Sequence, residues 1–385
     1  MIIFCKDTEI SVMLIYLYLL KLNYLLILSS VKKNIKKSKT IPSDFYYCKK
    51  QFKEIKESLF TKHWQFICDT NQLKKHGDVV PYDFIEGFID DPLILVNNHD
   101  SIQSISNVCT HRGNILVEKA GNIQNGIVCR YHGRKFDTCG NFTFMPKCED
   151  VENFPSKNDN LPHTPCETWK QFVFTSINPL ISLNELIKDM DNRVGWMPIE
   201  KFKFSKKRSK TYTINANWAL YCDNYLEGFH IPFVHKGLTQ NLNYAEYDTE
   251  VFKYSNLQLG VGKGDGDCFD LPKNSQDYGK NIAAYYFWLF PNMMFNFYPW
   301  GLSINIVIPV SPEKTKVKFL SYIWDESKLN TGAGAELDKV EQEDEEIVEQ
   351  VQRGVKSRFY DTGHFSPSME KGVHHFHLLL SKFIN

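Results

Sequence analysis

Two short runs decide the fold, CTHRGN at residues 109–114 and CRYHGRKFD at residues 129–137. Each run offers one thiolate and one imidazole, and seventeen residues separate His111 from Cys129. A cysteine and a histidine in each of two loops suit a [2Fe–2S] cluster in which two thiolates hold one iron and two imidazoles hold the other. A structural zinc site with two cysteines and two histidines is the alternative interpretation.

Each run also contains a glycine within two residues of its histidine. Gly113 and Gly133 supply the backbone freedom that tight loops over a cluster require. The next stretch, RKFDTCGN, predicts a hairpin with Gly140 and Asn141 at its turn. Cys139 lies in that turn, and we interpret it as a small turn residue and not as a ligand.

A second set of metal-binding residues lies in NWALYCDNYLEGFHIPFVHKG, which carries Glu227, His230 and His235. Histidines five residues apart do not share one face of a straight helix. Pro232 lies between them and is expected to break or kink the helix, which brings both imidazoles to one metal. Two histidines and one carboxylate leave open positions for O₂ and substrate at a non-haem iron.

The carboxylate is expected from the predicted helix at about 335–353. Its apolar stripe consists of Leu337, Val340, Ile347, Val348 and Val351. Asp344 falls in the middle of that stripe, whereas Glu343, Glu345 and Glu346 are predicted to point away. A buried carboxylate is costly unless it is paired or binds a metal, so Asp344 is the predicted third ligand. The alternative is an ordinary solvated helix acid.

Both sets resemble the motifs of Rieske non-haem iron oxygenases, the family of aromatic-ring-hydroxylating dioxygenase alpha subunits, over roughly residues 44–382. The resemblance implies a [2Fe–2S] cluster on Cys109, His111, Cys129 and His132, and a mononuclear Fe(II) on His230, His235 and Asp344. It also implies that Glu227 connects this iron to the cluster of a neighbouring subunit, and hence a homotrimer. Asp223, one turn earlier, remains a candidate to share the role of Glu227.

Most family members have aspartate where this chain has Glu227, and the glutamate points toward the branch that includes choline and carnitine monooxygenases. This resemblance predicts O₂-dependent hydroxylation of a quaternary ammonium compound, which aromatic rings bind by cation–π attraction. Tyr225 is the candidate wall residue. A dense aromatic stretch holds further candidates, although such residues on strands usually pack a core: Tyr285, Trp288, Phe295, Phe297, Tyr298 and Trp300.

Two other functions remain open at this point. One is a ring-hydroxylating oxygenase that acts on an uncharged aromatic compound, and the other is a Rieske electron-transfer protein. The chain has no flavin or nicotinamide fingerprint, so NAD(P)H is expected to act through a separate flavin/iron–sulfur reductase. We interpret the cluster of His374, His375 and His377 as structural and not as a third metal site.

The predicted fold class is α+β, a small all-β Rieske domain plus a larger helix-grip-like domain with a curved antiparallel sheet. The predicted divisions are an apolar and basic segment over 1–40, a helix over 44–62 that packs on the catalytic domain, the Rieske domain over 63–165 and the catalytic domain over 166–385. Predicted strands include TWKQFVFTSI, AAYYFWLFPNMMFNFYP, LSINIVIPV and KVKFLSYIW. Predicted helices lie at about 216–228 and 335–353.

The composition and the N-terminal residues indicate which ligands and which cellular compartment are expected. Lys+Arg and Asp+Glu are equal at 45 each, which gives no support to a nucleic-acid binder. Ten cysteines in 385 residues are too sparse for a disulfide scaffold and favour a reducing compartment. The body is therefore expected in the cytoplasm. Residues 11–31 are an apolar run that is either a membrane anchor or an untranslated upstream segment.

Overall fold

The computed structural model describes residues 30–99, 101–235, 247–263, 268–334 and 337–384. Helices within these ranges are α1 (Lys49–Ser58), α2 (Leu183–Val194), α3 (Trp218–Tyr225), α4 (Ile231–Val234), α5 (Leu337–Gly354) and α6 (Lys371–Phe383). The helix expected over 44–62 is therefore shorter than predicted. Single turns of 3₁₀ helix, Ser43–Tyr46 and Phe60–Lys62, flank it on either side.

The smaller β part contains two sheets. A five-stranded sheet has the order β5-β2-β3-β4-β9, formed by β2 (Asp78–Phe84), β3 (Asp91–Asn98), β4 (Ser101–Ser106), β5 (Gly121–Asn122) and β9 (His163–Thr164). A three-stranded sheet consists of β6 (Ile127–Val128), β7 (Lys135–Phe136) and β8 (Phe142–Phe144). The CTHRGN loop follows β4 and the CRYHG loop joins β6 to β7, so each loop leaves a different sheet.

A large antiparallel sheet of eight strands forms the second part. Its strands are β12 (Lys203–Phe204), β13 (Lys210–Ile214), β14 (Asp248–Val251), β15 (Ser255–Val261), β16 (Ile282–Leu289), β17 (Met293–Tyr298), β18 (Gly301–Ser311) and β19 (Lys314–Ile323). A separate small sheet holds β1 (Gln65–Asp69), β10 (Cys166–Trp169) and β11 (Phe172–Thr175). The α+β architecture with a small all-β domain is confirmed.

Two runs that the sequence predicts as single strands are hairpins. TWKQFVFTSI contributes to both β10 and β11, because Lys170 between them has a φ of 53°. The run that begins at Ala283 divides into β16 and β17 around Pro291. Since both halves of each run are apolar, hydrophobicity alone did not mark the turns.

Aromatic residues join the helices to the large sheet. The ring centroids of Trp218 on α3 and Phe376 on α6 lie 5.7 Å apart, and those of Phe376 and Trp288 on β16 lie 5.2 Å apart. Phe60 contacts Trp218 at 5.0 Å, so the segment after α1 packs into the same core. This packing fixes α3, which leads directly into the candidate site.

Residues 30–41 lie against the C-terminal part of the chain. The backbone N–H of Ile41 donates to Nδ1 of His377 at 3.2 Å, and the carbonyl of Lys32 lies 2.8 Å from Nε2 of His374. The predicted anchor at 11–31 falls almost entirely outside the described residues. Among the described helices, none has the length and apolar character needed to cross a membrane.

Candidate metal centres

The two loops of the first centre have the same backbone turn. The N–H of Gly113 donates to the carbonyl of Cys109 at 3.0 Å, and that of Gly133 donates to the carbonyl of Cys129 at 2.9 Å. Both glycines have a left-handed backbone, with φ of 71° and 74°. A side chain at either position would be strained, which explains why the motif has glycine there.

The cysteines and the histidines of these loops differ in their exposure to solvent. Cys109 and Cys129 are buried, whereas His111 and His132 are exposed with their Nδ1 atoms 3.2 Å apart. Burial raises the pKa of Cys109; at Cys129 hydrogen bonds, that from the N–H of Tyr131 foremost, outweigh burial and lower its pKa. This donor set, two thiols at depth and two imidazoles at the surface, fits a cluster with one sulfur-bound and one nitrogen-bound iron.

Asp159, for which we made no prediction from the sequence, connects the two loops. Its carbonyl accepts from Oγ1 of Thr110 in the first loop at 2.7 Å. Its carboxylate accepts from Nη2 of Arg134, directly after the second loop, at 2.8 Å. The buried Arg134 guanidinium also lies 4.7 Å from the ring centroid of Phe142. These contacts hold the two halves of the centre in register.

The second centre begins where α3 ends. The side chain of Asn217 accepts from the N–H of Ala219 and caps α3. After α3 the chain makes a non-helical turn and then starts the short helix α4, with Pro232 in its first turn. The break predicted between the two histidines lies instead before His230, because Pro232 is accommodated in the first turn of α4, and His230 and His235 stand at the two ends of this short helix.

The three predicted ligand side chains meet. Nε2 of His235 lies 3.0 Å from Oδ1 of Asp344 and 3.2 Å from Nε2 of His230, while Nε2 of His230 lies 3.4 Å from the same Oδ1. Ligand atoms from these three residues lie within 4.8 Å of one another, a spacing that one metal ion can bridge. Two imidazoles and one carboxylate match a non-haem iron site with open positions.

Each of the two histidines also contacts a second carboxylate through its Nδ1. Oε1 of Glu227 lies 2.7 Å from Nδ1 of His230, and Oε2 of Glu343 lies 2.8 Å from Nδ1 of His235. These contacts keep the proton on Nδ1 and leave each Nε2 lone pair for a metal. The prediction that Glu343 points away from the site was wrong, because His235 lies over the edge of α5 that carries it.

Charge at this centre favours a cation. Burial lowers the pKa of His230, but the hydrogen bonds and charges of Asp344 and Glu227 outweigh burial and raise it to about 9. Burial likewise raises the pKa of Asp344, but the two histidines outweigh burial and lower it. Three carboxylates around two imidazoles attract positive charge, which a bound divalent ion supplies.

The buried face of α5 differs from the predicted stripe. Its most buried side chains are Glu341, Val348 and Gln352, whereas Val351 is 42% exposed. Asp344 lies on the buried side, as predicted. The polar members of this face contact polar partners from the rest of the molecule, which a count of apolar residues along one helix does not reveal.

A cavity of about 120 Å³ opens from the second centre. One wall is a row of side chains that runs across four strands of the large sheet, with Gln258 paired to Tyr286, Tyr286 to Asn296, and Asn296 to Ser303. The sequence analysis missed this row. Its signal was present, because Gln258, Asn296 and Ser303 are polar residues inside strands that are otherwise apolar.

Tyrosines form much of the remaining wall. Tyr225 lines the cavity as predicted, and its hydroxyl donates to Oδ1 of Asn296 at 2.6 Å. Tyr286 and Tyr298 line it as well, while Trp300 lines a neighbouring cavity of about 430 Å³. The other aromatic candidates do not line either cavity and lie in the core: Tyr285, Trp288, Phe295 and Phe297.

Comparison with known proteins identifies the family. A model of the Rieske [2Fe–2S] domain matches residues 63–155, and a model of the ring-hydroxylating alpha subunit catalytic domain matches residues 203–384. The chloroplastic choline monooxygenase of Arabidopsis thaliana is 30% identical over 90% of this chain and 83% of its own length. The chain belongs to the Rieske ring-hydroxylating oxygenase family. Its cofactors are accordingly a [2Fe–2S] cluster and a mononuclear iron, with O₂ and reductase electrons as co-reactants.

Other members of the Rieske oxygenase family are similar along most of the chain. The carnitine monooxygenase oxygenase subunit of Escherichia coli (strain K12) is 29% identical over 89% of this chain and 93% of its own length. A solved quaternary ammonium Rieske monooxygenase superposes with a TM-score of 0.74 at 24% identity, covering 91% of this chain and 97% of the other. Naphthalene 1,2-dioxygenase of Rhodococcus gives 0.69 at 17% identity, covering 94% and 97%. The solved structures share the fold.

In this Rieske oxygenase, Asp223 and the three late histidines form contacts of their own. Asp223 accepts from the hydroxyl of Tyr46 at 2.7 Å and from Nε2 of His377 at 2.9 Å. His375 contacts Asn256 at 2.9 Å, and His374 contacts the Lys32 carbonyl mentioned above. The histidines thus face different partners, which fits the structural role predicted for them.

Proposed function

We propose that this Rieske oxygenase oxidises a small trimethylammonium compound of the choline or carnitine type. The observation that carries the proposal is the cavity beside His230, His235 and Asp344, which tyrosines line on several sides. A quaternary ammonium gains about 0.5–2 kcal/mol from each aromatic face it contacts. The names of the choline and carnitine monooxygenases, similar over about nine tenths of this chain, support the same substrate class.

We assign the metal-binding roles residue by residue. Cys109, His111, Cys129 and His132 hold the [2Fe–2S] cluster within a domain at about 63–165, and His230, His235 and Asp344 hold the mononuclear iron within a domain at about 166–385. Glu227 carries the electron-transfer path to His230, and its carboxylate also fixes the tautomer of that ring. We assign the path to Glu227 and not to Asp223, because Glu227 contacts the proposed iron ligand His230 whereas Asp223 contacts Tyr46 and His377.

The reaction consumes one C–H bond of the substrate, O₂, two electrons and two protons, and yields a hydroxylated product and water. When bound, the iron centres supply the electrons and activate O₂. The protein orients the substrate between the tyrosines and the histidine pair, and the bound substrate displaces water from the cavity. A hydroxyl placed next to the ammonium nitrogen leads to C–N cleavage.

Electrons come from a separate flavin/iron–sulfur reductase, and we propose that they cross between subunits of a homotrimer. Cys129→Ser removes a cluster ligand and His230→Ala removes an iron ligand, so each variant alone is expected to be inactive. Co-assembly of the two variants in one oligomer is expected to restore part of the turnover. Absence of activity in verified mixed oligomers would contradict transfer between subunits.

The test of substrate class is oxygen-dependent product formation by anaerobically reconstituted protein with a surrogate reductase and NADH. Choline, L-carnitine, glycine betaine and several aromatic acids are compared side by side. Turnover of a trimethylammonium compound is expected, and it should disappear in Glu227→Gln even when excess Fe(II) fills the iron site of that variant and its cluster is intact. Turnover of an aromatic acid alone would reject the trimethylammonium proposal and leave the iron sites unaffected.

A further inference from the structure

Glu341 is a buried acid whose presence the iron chemistry does not explain. It lies on α5 three residues before Asp344 and is 6% exposed. The hydroxyl of Tyr221 donates to its carboxylate, at 2.8 Å from Oε1 and 2.9 Å from Oε2. A single hydroxyl proton shared by two oxygens leaves most acceptor sites of this carboxylate unused.

The charges around Glu341 are unbalanced. Within the described residues, no Lys, Arg or His forms an ion pair with it, and its acidic neighbours are Asp338, Asp344 and Glu345. Burial, followed by the charge of Asp344, raises its pKa well above the usual value for glutamate. Burying a carboxylate without a cation is costly, and a cavity wall is a position where an apolar residue would serve structure better.

Glu341 also lies at the boundary between two cavities. It lines both the cavity beside the iron ligands and the neighbouring larger cavity, and Ser303, Phe319 and Leu337 are the other residues that line both. The carboxylate is therefore accessible to a molecule in either cavity. Asp344, which lines the cavity beside the iron ligands, already contacts His230 and His235.

We propose that Glu341 binds the quaternary ammonium cation of the substrate and is the residue that selects a positive charge over a neutral group of equal shape. This inference rests on the proposed function. The tyrosine rings favour a trimethylammonium over a tert-butyl group by cation–π attraction, and a carboxylate at low dielectric favours the cation more strongly. Glu341 thus adds to the charge discrimination of the aromatic wall.

Matched probe pairs test this role by direct binding to the full-length, iron-loaded protein. Choline is paired with 3,3-dimethylbutan-1-ol, and glycine betaine with 3,3-dimethylbutanoate, so that a carbon replaces the charged nitrogen. In Glu341→Gln, calorimetry is expected to give a Kd for the cationic probe that is higher by about 30-fold or more. The Kd of its carbon analogue, which lacks the ammonium charge, should stay the same or fall. Glu346→Gln, on the exposed side of the same helix, should change neither.

The outcomes separate this inference from the proposed function. An unchanged Kd for the cationic probe in Glu341→Gln overturns the role of Glu341 while the proposed function stands. An equal loss for both members of a pair also overturns it, because that result indicates a general change of cavity shape. If the unsubstituted protein binds no trimethylammonium probe at all, the proposed function fails and this inference fails with it.

Discussion

Glu227 and Glu343 approach the iron site from opposite sides and make the same contact. Each carboxylate accepts from the Nδ1 of one histidine, at 2.7 and 2.8 Å, so both rings present Nε2 toward Asp344. A histidine ligand held in this way keeps its ring orientation and gains basicity. The pair therefore orients the two histidines for the iron that we propose they bind with Asp344.

Removal of one of these supports should weaken iron binding selectively. Glu343→Gln is expected to lower the affinity of the His230–His235–Asp344 site for Fe(II) by about 10–100-fold, because His235 loses its anionic acceptor. Anaerobic Fe(II) titration checks this, with the visible spectrum of the cluster as an internal control. Glu346→Gln provides a matched substitution on the exposed face of α5. Equal affinities in the two variants would contradict a supporting role for Glu343.

Iron binding should also depend on pH with a definite sign. The pKa of His230 is raised to about 9 when no metal is bound, so its ring carries a proton at neutral pH that Fe(II) must displace. Apparent affinity should therefore rise with pH up to about 9, by about tenfold per pH unit for each proton displaced, and level off above it. Titrations at several pH values with proton release measured in parallel test this. A constant affinity between pH 6 and pH 8.5 would contradict it.

The sequence predicts the site residues whose pattern lies within one loop or one helix. It does not predict those that depend on contacts with other elements. Cys109, His111, Cys129 and His132 lie in two short loops, where spacing alone indicates a shared metal. Asp344 follows from the buried side of one helix. Glu343 and Glu341 depend on which outside element lies over each edge of α5, and one-helix periodicity carries no such information.

Helix α6 packs against the segment that leads to the proposed iron ligands. Gly372, near its start, packs so closely that an added Cβ would lie 2.3 Å from the carbonyl oxygen of Leu226. Leu226 directly precedes Glu227, so pressure at this contact moves the carboxylate that holds His230. The close approach explains the glycine inside an otherwise well-formed helix.

Gly372→Ala is therefore expected to disturb stability and iron site together. Overpacking should cost about 1–3 kcal/mol in the free energy of unfolding. Iron occupancy of the His230 site should fall, while the cluster spectrum persists. Thermal unfolding followed by iron analysis checks both expectations.

Gly354→Ala is the matched control, since nothing lies within 4 Å of a Cβ added there at the end of α5. That change should leave iron occupancy untouched and stabilise the helix by at most about 1 kcal/mol. If the two alanine variants behave alike, the contact between α6 and Leu226 does not support the site.

At this scale, strand content was easier to predict than strand boundaries. β18 and β19 follow the predicted runs closely, because polar turns bound each of them. The hairpins β10–β11 and β16–β17 were predicted as single strands, since both arms and the turn are rich in apolar or aromatic residues. The three predicted helices lie in the right places but begin or end a few residues from the observed limits, whereas α2 and α6 were not predicted.

The whole molecule brings together residues that no local pattern connects. Gln258, Tyr286, Asn296 and Ser303 come from four strands and form one row only through the register of the large sheet. The cavity wall therefore could not be predicted without the sheet order, although polar residues in apolar strands were a usable signal. By contrast, the spacing of the two loops is specific to the family, and it predicts that Cys109, His111, Cys129 and His132 share a metal centre.

Two separate residue sets are proposed to hold two separate iron centres in each chain. Counting iron and acid-labile sulfide per chain in reconstituted protein distinguishes the two centres. We expect about three irons and two sulfides for the unsubstituted protein, about two and two for His230→Ala, and about one iron without sulfide for Cys129→Ser. Three irons retained in His230→Ala, or sulfide retained in Cys129→Ser, would contradict the assignment.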